Sequence, residues 1–465
     1  MRKIYIIGAA VLLFTGCKPN VNVSKTPTSG SVDFSNYLAV GNSLTAGYMD
    51  GSLTVSGQLN SYPQRLWEQF AQIPGANGAK GPFILPLLHS DNGYPGPKKV
   101  LAMTYNSCNA SDSSLGPVDY QGFVADPVDA QPYNSGVNNG QVNNIGVPGI
   151  RVADYPVLQY ATPNINPYAA RFYHNINGTP MDELLYRVNI YHPTFFTLWL
   201  GANDVLGYAL GGGQGNGVLS GPNAALPVGL NIYSTSDITP LPVFQKLYDS
   251  IVTTITHTSA SGALINIPDV TSLPFFTTIP AKGLTLTRQG QADSLQALYP
   301  LLKVVFQVGA NYFMIQDNNG KTRQAVPGEL ILLTVPQEKL TCEGWGSLTP
   351  IPSKYVLTTD ELQNIRGAVI NYNAFIQQEA TLHNLAYVDI NSYMSAVATG
   401  ISYNGINYSA QFVSGGAFSL DGIHPTERGY ALIANQIIMA INAHYHSTVT
   451  TVDANKYHGI NFPTK

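Results

Sequence analysis

At 465 residues the chain is long enough to bury a large core, as one elaborated domain or two. Charged residues make up only 11% and the formal net charge is -4, so there is no basic footprint and nucleic acid is excluded as a partner. With 44 Gly, 31 Pro and 28 Tyr, the composition is that of a loop-rich, neutral-surfaced, exported globule rather than a cytosolic protein.

The first residues fit export. Met1-Arg2-Lys3 is a basic start, and the apolar run from Ile4 to Phe14 is too short to span a bilayer. It closes in Phe14-Thr15-Gly16-Cys17, which resembles the lipobox of bacterial lipoproteins. The resemblance implies cleavage before Cys17 and lipidation of its sulfur. Residues 1–16 are then a signal peptide and 17–32 a polar tether, so the expectation is a membrane-anchored lipoprotein of the bacterial cell envelope, at the outer membrane. Cys108 and Cys342 remain. In an oxidising compartment they can pair, and geometry decides whether they meet.

Tyr37 to Val40 reads as a buried strand that stops at Gly41, just before Ser43. A helix is expected over Ser61–Ala71, with Ser61 as its cap. From 72 to 140 periodicity is lost among Gly, Pro, Asn and Asp, in a stretch longer than ordinary connections. A short strand from Val142 runs into the Gly/Pro turn at Gly149, and a helix over Ile150–Tyr160 is weakened by Pro156. A helix over Met181–Tyr191 precedes the β-branched and aromatic run Thr194–Leu200, which has the character of a central parallel strand. Gly207 to Gly229 reads as a loop, Leu241–Thr256 as a helix and Ala263–Ile267 as a strand. A second insertion covers 271–346. Thr358 and Glu361 have capping-box spacing before a long apolar stripe, Leu385–Ile390 is a fifth strand, and a last helix starts near Pro425.

Strands alternating with helices predict a three-layer α/β/α sandwich around a mostly parallel, five-stranded, flavodoxin-like sheet with two large insertions. The domain is expected over 33–447, with a tail over 448–465. In that layout Ser43, Gly149 and Asn203 follow three strands and converge at one edge of the sheet, where open α/β sheets place their chemistry.

Serine alone is a weak nucleophile and needs a base, an orienting acid and oxyanion donors. Four blocks supply them in order: Gly41-Asn-Ser-Leu-Thr45, Asn144-Ile-Gly-Val-Pro-Gly149, Gly201-Ala-Asn-Asp204 and Asp421-Gly-Ile-His424. Together they resemble the GDSL, or SGNH, hydrolase family. The resemblance implies Ser43 as nucleophile, His424 as base and Asp421 as the carboxylate orienting it. It also implies an oxyanion hole from the Ser43 and Gly149 backbone N–H groups and the Asn203 amide. Asn42 departs from the pattern, standing where the family's name-giving aspartate belongs. Asp204, Asp269 and Asp389 read as caps or structural carboxylates.

Other chemistries find no support. Gly320-Lys321-Thr322 lacks the earlier glycine of a phosphate loop, which is Ile315 here, and there is no G-x-S-x-G elbow. The remaining histidines show no clustered metal spacing, so neither metal nor cofactor is expected. The expected reaction is ester hydrolysis. Lipid or fatty-acyl esters come first as substrate, on the anchor and on the apolar runs Phe83–Leu88 and Leu295–Phe306, read as linings of an acyl groove. Acetylated polysaccharide is the alternative substrate, and a non-catalytic glycan- or lipid-binding lipoprotein the alternative function.

Overall fold

The computed structural model describes residues 26–106, 108–131, 133, 142–215 and 234–462. The expected signal peptide, Cys17 and most of the tether lie outside the described residues. The five-stranded sheet is present. Its strands are β1 (Tyr37–Gly41), β2 (Asn144–Gly146), β3 (Phe195–Trp199), β4 (Ser261–Ile265) and β5 (Ala386–Val388), in the order β5-β4-β3-β1-β2. Every pairing is parallel. β1 and β3 are buried along their whole length, which is why they read as unbroken apolar runs rather than alternating ones.

Six helices frame the sheet and its loops: α1 (Tyr62–Phe70), α2 (Pro180–Tyr191), α3 (Asn203–Leu210), α4 (Leu241–Thr256), α5 (Thr359–Leu382) and α6 (Glu427–Tyr445). α1 and α6 pack together on one face of the sheet, and α2, α4 and α5 cover the other. The buried stripes are those of the sequence. Val243, Leu247 and Ile251 of α4 meet the α5 layer, and Tyr372 stacks on Phe244 with ring centroids 3.9 Å apart. α5 begins where the capping pair places it, with the Thr358 N–H donating to the Glu361 carboxylate at 2.8 Å. α6 starts slightly later than Pro425 suggested, because the Thr426 hydroxyl accepts the Gly429 N–H at 3.1 Å and takes the cap position.

Several expectations fail locally. Ser61 stands at the start of α1, but its hydroxyl makes no capping bond. The helix expected over Ile150–Tyr160 is only a 3₁₀ turn at Val152–Asp154, and Pro156 stops it from continuing. Gly207 lies inside α3 rather than in a loop, and residues 216–233 of that expected loop lie outside the described residues. The first insertion is not wholly irregular, since Lys99–Asn106 and Asn109–Asp119 pair as an antiparallel hairpin. The residues after 447 are not a loose tail: Val449, Val452 and Ala454 are buried in the main core.

The second insertion has two small cores, one around Phe313, Ile315 and Ile331 that also takes in Ile351 and Val356 just beyond it, the other around Leu286, Leu295, Phe306 and Met314. A disulfide joins Cys108 to Cys342, so the two insertions are tied to each other. The apolar runs expected to line an acyl groove are largely packed in cores among the described residues, although Leu295 also lines a cavity of about 560 Å³ with Leu286 and Leu348. Phe83, Leu85 and Leu88 are buried in the main core, and Phe83 stacks on Tyr37 at 5.4 Å. Leu295, Val304 and Phe306 fill a core of the insertion, while Leu301 and Val305 between them point outward.

Candidate active site

The site is built where β1 ends. Gly41 is required there: a Cβ would lie 2.0 Å from the Thr45 hydroxyl oxygen and 2.8 Å from the Trp199 carbonyl oxygen. The chain then turns into one helical turn, Ser43–Ala46, whose cap is Asn42. The Asn42 side-chain oxygen accepts the Leu44 N–H at 3.0 Å, and its carbonyl accepts from Thr45 and Ala46. An amide does this job as a carboxylate would, so the departure at Asn42 leaves the serine turn intact.

Neighbouring strands are bonded to this turn. The Val147 N–H donates to the Gly41 carbonyl at 2.9 Å, and the Asn144 side chain donates to Thr45 O at 2.8 Å. β2 therefore delivers Gly149 beside the serine turn, in a left-handed conformation (φ +82°) that glycine adopts without strain. From the other side, β3 leads into α3, and the Asn203 amide donates to Ile150 O at 2.9 Å. Ser43, Gly149 and Asn203 thus follow three adjacent strands, linked through bonds between their loops.

His424 comes from the turn before α6. Its Nε2 lies 2.8 Å from Ser43 Oγ and its Nδ1 lies 2.8 Å from Asp421 Oδ2. Asp421 is saturated with donors. Oδ1 accepts the backbone N–H groups of Ile423 and His424, both at 2.8 Å, and the Ser419 hydroxyl at 3.2 Å; Oδ2 accepts the Gly51 N–H at 3.0 Å. Burial alone would push this carboxyl up. The His424 imidazole and the N–H donors outweigh it and hold Asp421 below its ordinary range, so it is a carboxylate at neutral pH. The Tyr48 ring lies against the imidazole, centroids 4.6 Å apart, and Tyr168 donates to the Tyr48 hydroxyl at 3.3 Å.

Asp204 is neither catalyst nor cap. It is fully buried and accepts the N–H groups of Val152 (2.8 Å) and Ala153 (3.2 Å) and the Thr239 hydroxyl (2.7 Å). It therefore fixes the turn that follows Gly149. Burial pushes it up to about 6, although the Thr239 hydroxyl and Val152 N–H oppose that. Asp50 sits beside Asp421, accepts the Leu420 N–H at 2.9 Å, and is also pushed up to about 6, mainly by burial. Asp269 and Asp389 are caps, accepting from Thr271 and Ser392, as expected.

A family model described as GDSL-like Lipase/Acylhydrolase matches residues 290–437, a span that includes Asp421 and His424. That stretch, about a third of the chain, is similar to GDSL-like lipases and acylhydrolases, and the chain is a hydrolase acting on esters. The match begins well after Ser43, so the hydrogen-bonded contact of Ser43 with His424 is what joins the amino-terminal serine to the matched part of the hydrolase. Among solved structures, a candidate GDSL-like lipase from Parabacteroides merdae ATCC 43184 is similar at 10% identity, with 90% of this hydrolase and 99% of that chain covered and a TM-score of 0.32. No curated protein matches.

Sequence reading missed the supports of the hydrolase's site. Tyr48, Asp50 and Gly51 sit close after the serine, but no spacing rule marks a tyrosine or a turn N–H as a partner of residues some 370 positions away. Asp204 was legible only as a polar residue at a helix start.

One cavity opens beside Gly149. It measures about 670 Å³ and is lined by Gly149, Arg151, Tyr160, Asn166 and Tyr168 among others. Its wall is fixed by polar bonds: Arg151 is paired with Asp154 at 2.7 Å, and Asn166 donates to Pro148 O and to the Tyr160 hydroxyl.

Proposed function

We propose that the protein is a serine carboxylesterase in which Ser43 attacks the ester carbonyl. The observation that carries this is the continuous relay Ser43 Oγ–His424 Nε2 and His424 Nδ1–Asp421 Oδ2, both at 2.8 Å. His424 takes the serine proton as the tetrahedral intermediate forms and passes it to the leaving alcohol. Water, activated by the same imidazole, then releases the acid from the acyl enzyme. Asp421 keeps the proton on Nδ1 and stabilises the imidazolium. The N–H groups of Ser43 and Gly149 and the Asn203 amide are assigned to the oxyanion. Fixed donors of this kind are worth about 3–4 kcal/mol each in the transition state. A fluorophosphonate probe should label the folded protein at Ser43 and fail to label Ser43→Ala; no labelling of folded wild type sinks the assignment.

For the substrate, the cavity beside Gly149 favours a short acyl ester of a polar alcohol such as an acylated glycan. Its tyrosines and asparagine suit sugar stacking and hydroxyl recognition. Phe83, Leu85 and Leu88, and Leu295 and Phe306 of the second run, are taken up in packing cores, so lipid esters become the second reading. A chain-length series of acyl esters beside acetylated xylan separates them, and a maximum at long chains reverses the order. Anchoring through a lipidated Cys17 in the cell envelope remains part of the proposal, on the strength of Met1–Cys17. Incorporation of labelled palmitate that survives Cys17→Ala would remove it.

A further inference from the structure

Away from the ester site, α4 and α5 bring together three groups that are scattered in the sequence. Glu379 and His383 lie four apart at the end of α5, on one helix face, and Asp249 meets them from α4. One ligand atom of each, two carboxylate oxygens and an imidazole nitrogen, lies within 4.8 Å of the other two. Glu379 is only 2% exposed, yet among the described residues its Oε2 has no hydrogen-bond partner, and neither does His383 Nε2, which lies 3.5 Å from it. The phenol of buried Tyr248 is likewise without a hydrogen-bond partner among the described residues and lies within electrostatic reach of Glu379. The carboxylate is thus buried beside the like charge of Asp249, with no lysine or arginine paired to it among the described residues. A buried carboxylate in that position calls for a cation.

We propose that Asp249, Glu379 and His383 bind a divalent transition-metal ion of the zinc class. Two carboxylates and an imidazole are a donor set that suits zinc, whereas calcium and magnesium prefer all-oxygen shells. Bond lengths of about 2.0–2.2 Å to N and O require the three atoms to draw together by rotation of exposed Asp249 and of His383 at the helix end. Entry is open, because His383 also lines a cavity of about 550 Å³ with Thr256, Ser259 and His444. α5 leads directly into the first residues of β5, which places the cluster at the amino edge of the sheet, opposite Ser43. The ion would pin α4 to α5 and take no part in ester chemistry.

The test uses the untagged full chain, stripped with chelator and titrated with Zn²⁺ by calorimetry. One equivalent should bind, and at a hundredfold excess over Kd the melting temperature should rise by roughly 3 °C. Glu379→Gln, His383→Ala and Asp249→Asn should each weaken Zn²⁺ binding at least about tenfold and leave turnover of a soluble ester unchanged. Asp249 is exposed and Glu379→Gln removes a buried charge, so these two variants carry the test if His383→Ala does not fold. Absence of Zn²⁺ binding, unchanged affinity in folded Glu379→Gln or Asp249→Asn, or equal preference for Ca²⁺ overturns the proposal.

Discussion

The carboxyl edge of the sheet and the second insertion are held together by opposite means. At the sheet edge the contacts that close the site span hundreds of residues, as between Ser43 and His424, 381 positions apart, and Ser43 is anchored on a strand that is itself fully buried. The insertion is organised by short-range packing in two small clusters, several two- or three-residue strands and a covalent tie to the first insertion. Between its buried positions it leaves Leu301 95% exposed and Val305 71% exposed. The contrast teaches that the precision of the site comes mainly from the sheet, while the insertion touches it at its first turn, where the Phe275 N–H donates to Gly422 O at 2.9 Å.

Four measurements sharpen or break this contrast. Ser43→Ala should lower kcat by about 10⁴-fold or more with no change in melting temperature beyond a degree or so, because only a hydroxyl is lost. Asn203→Ala should cost about 10²–10³-fold in kcat with little change in KM, as expected for an oxyanion donor; a loss confined to KM would assign it to binding. Replacing both Cys108 and Cys342 by serine should destabilise by about 2–4 kcal/mol, read by urea denaturation, while turnover of a small soluble ester stays within about twofold. A large loss of turnover there would show that the insertion does position the site.

The smallest effect is on the pH profile of stability. Asp50 and Asp204 are raised to about 6 in the fold, so the native chain binds more protons than the unfolded one between about pH 4 and 6. Their contribution is therefore fully present below the unfolded carboxyl range and is lost as pH rises through about 6. Asp421 works in the other direction, since its depressed value gives stability above the unfolded range that is lost only as pH falls below it. Stability from urea denaturation should accordingly fall by about 1–3 kcal/mol from about pH 4.5 to 7.5. A flat or rising profile would remove Asp50 and Asp204 from the account.

Legibility in the sequence follows the same division. β1, β3 and α4 were readable because burial on a sheet or helix face leaves a periodic or unbroken apolar trace, and α4 has the bounds that its stripe predicts. Ser43, Gly149, Asn203, Asp421 and His424 were legible as candidates because each stands at the end of such an element. The hairpin at Lys99–Asn106 was not, because Leu101 is buried while Met103 and Tyr105 are exposed, so no continuous buried face marks the strand. The supports of Asp421 were hidden for a different reason: Gly51 contributes an N–H, which every non-proline residue carries and no sequence pattern reveals. Asp204 looked like a cap because a cap and a buried turn-holder share the same residue type at the same helix start. The disulfide was open from sequence, and only the approach of the two insertions decided it.

The 381-residue separation of Ser43 from His424 has a consequence for the nascent chain. The ribosome reaches the histidine on the order of 20 to 80 s after the serine, at about 5–20 residues per second. Until then the proposed nucleophile lacks the imidazole that the proposed mechanism requires. On the proposed mechanism the order of synthesis thus keeps the chain silent while it is being made, until the turn before the closing helix is in place.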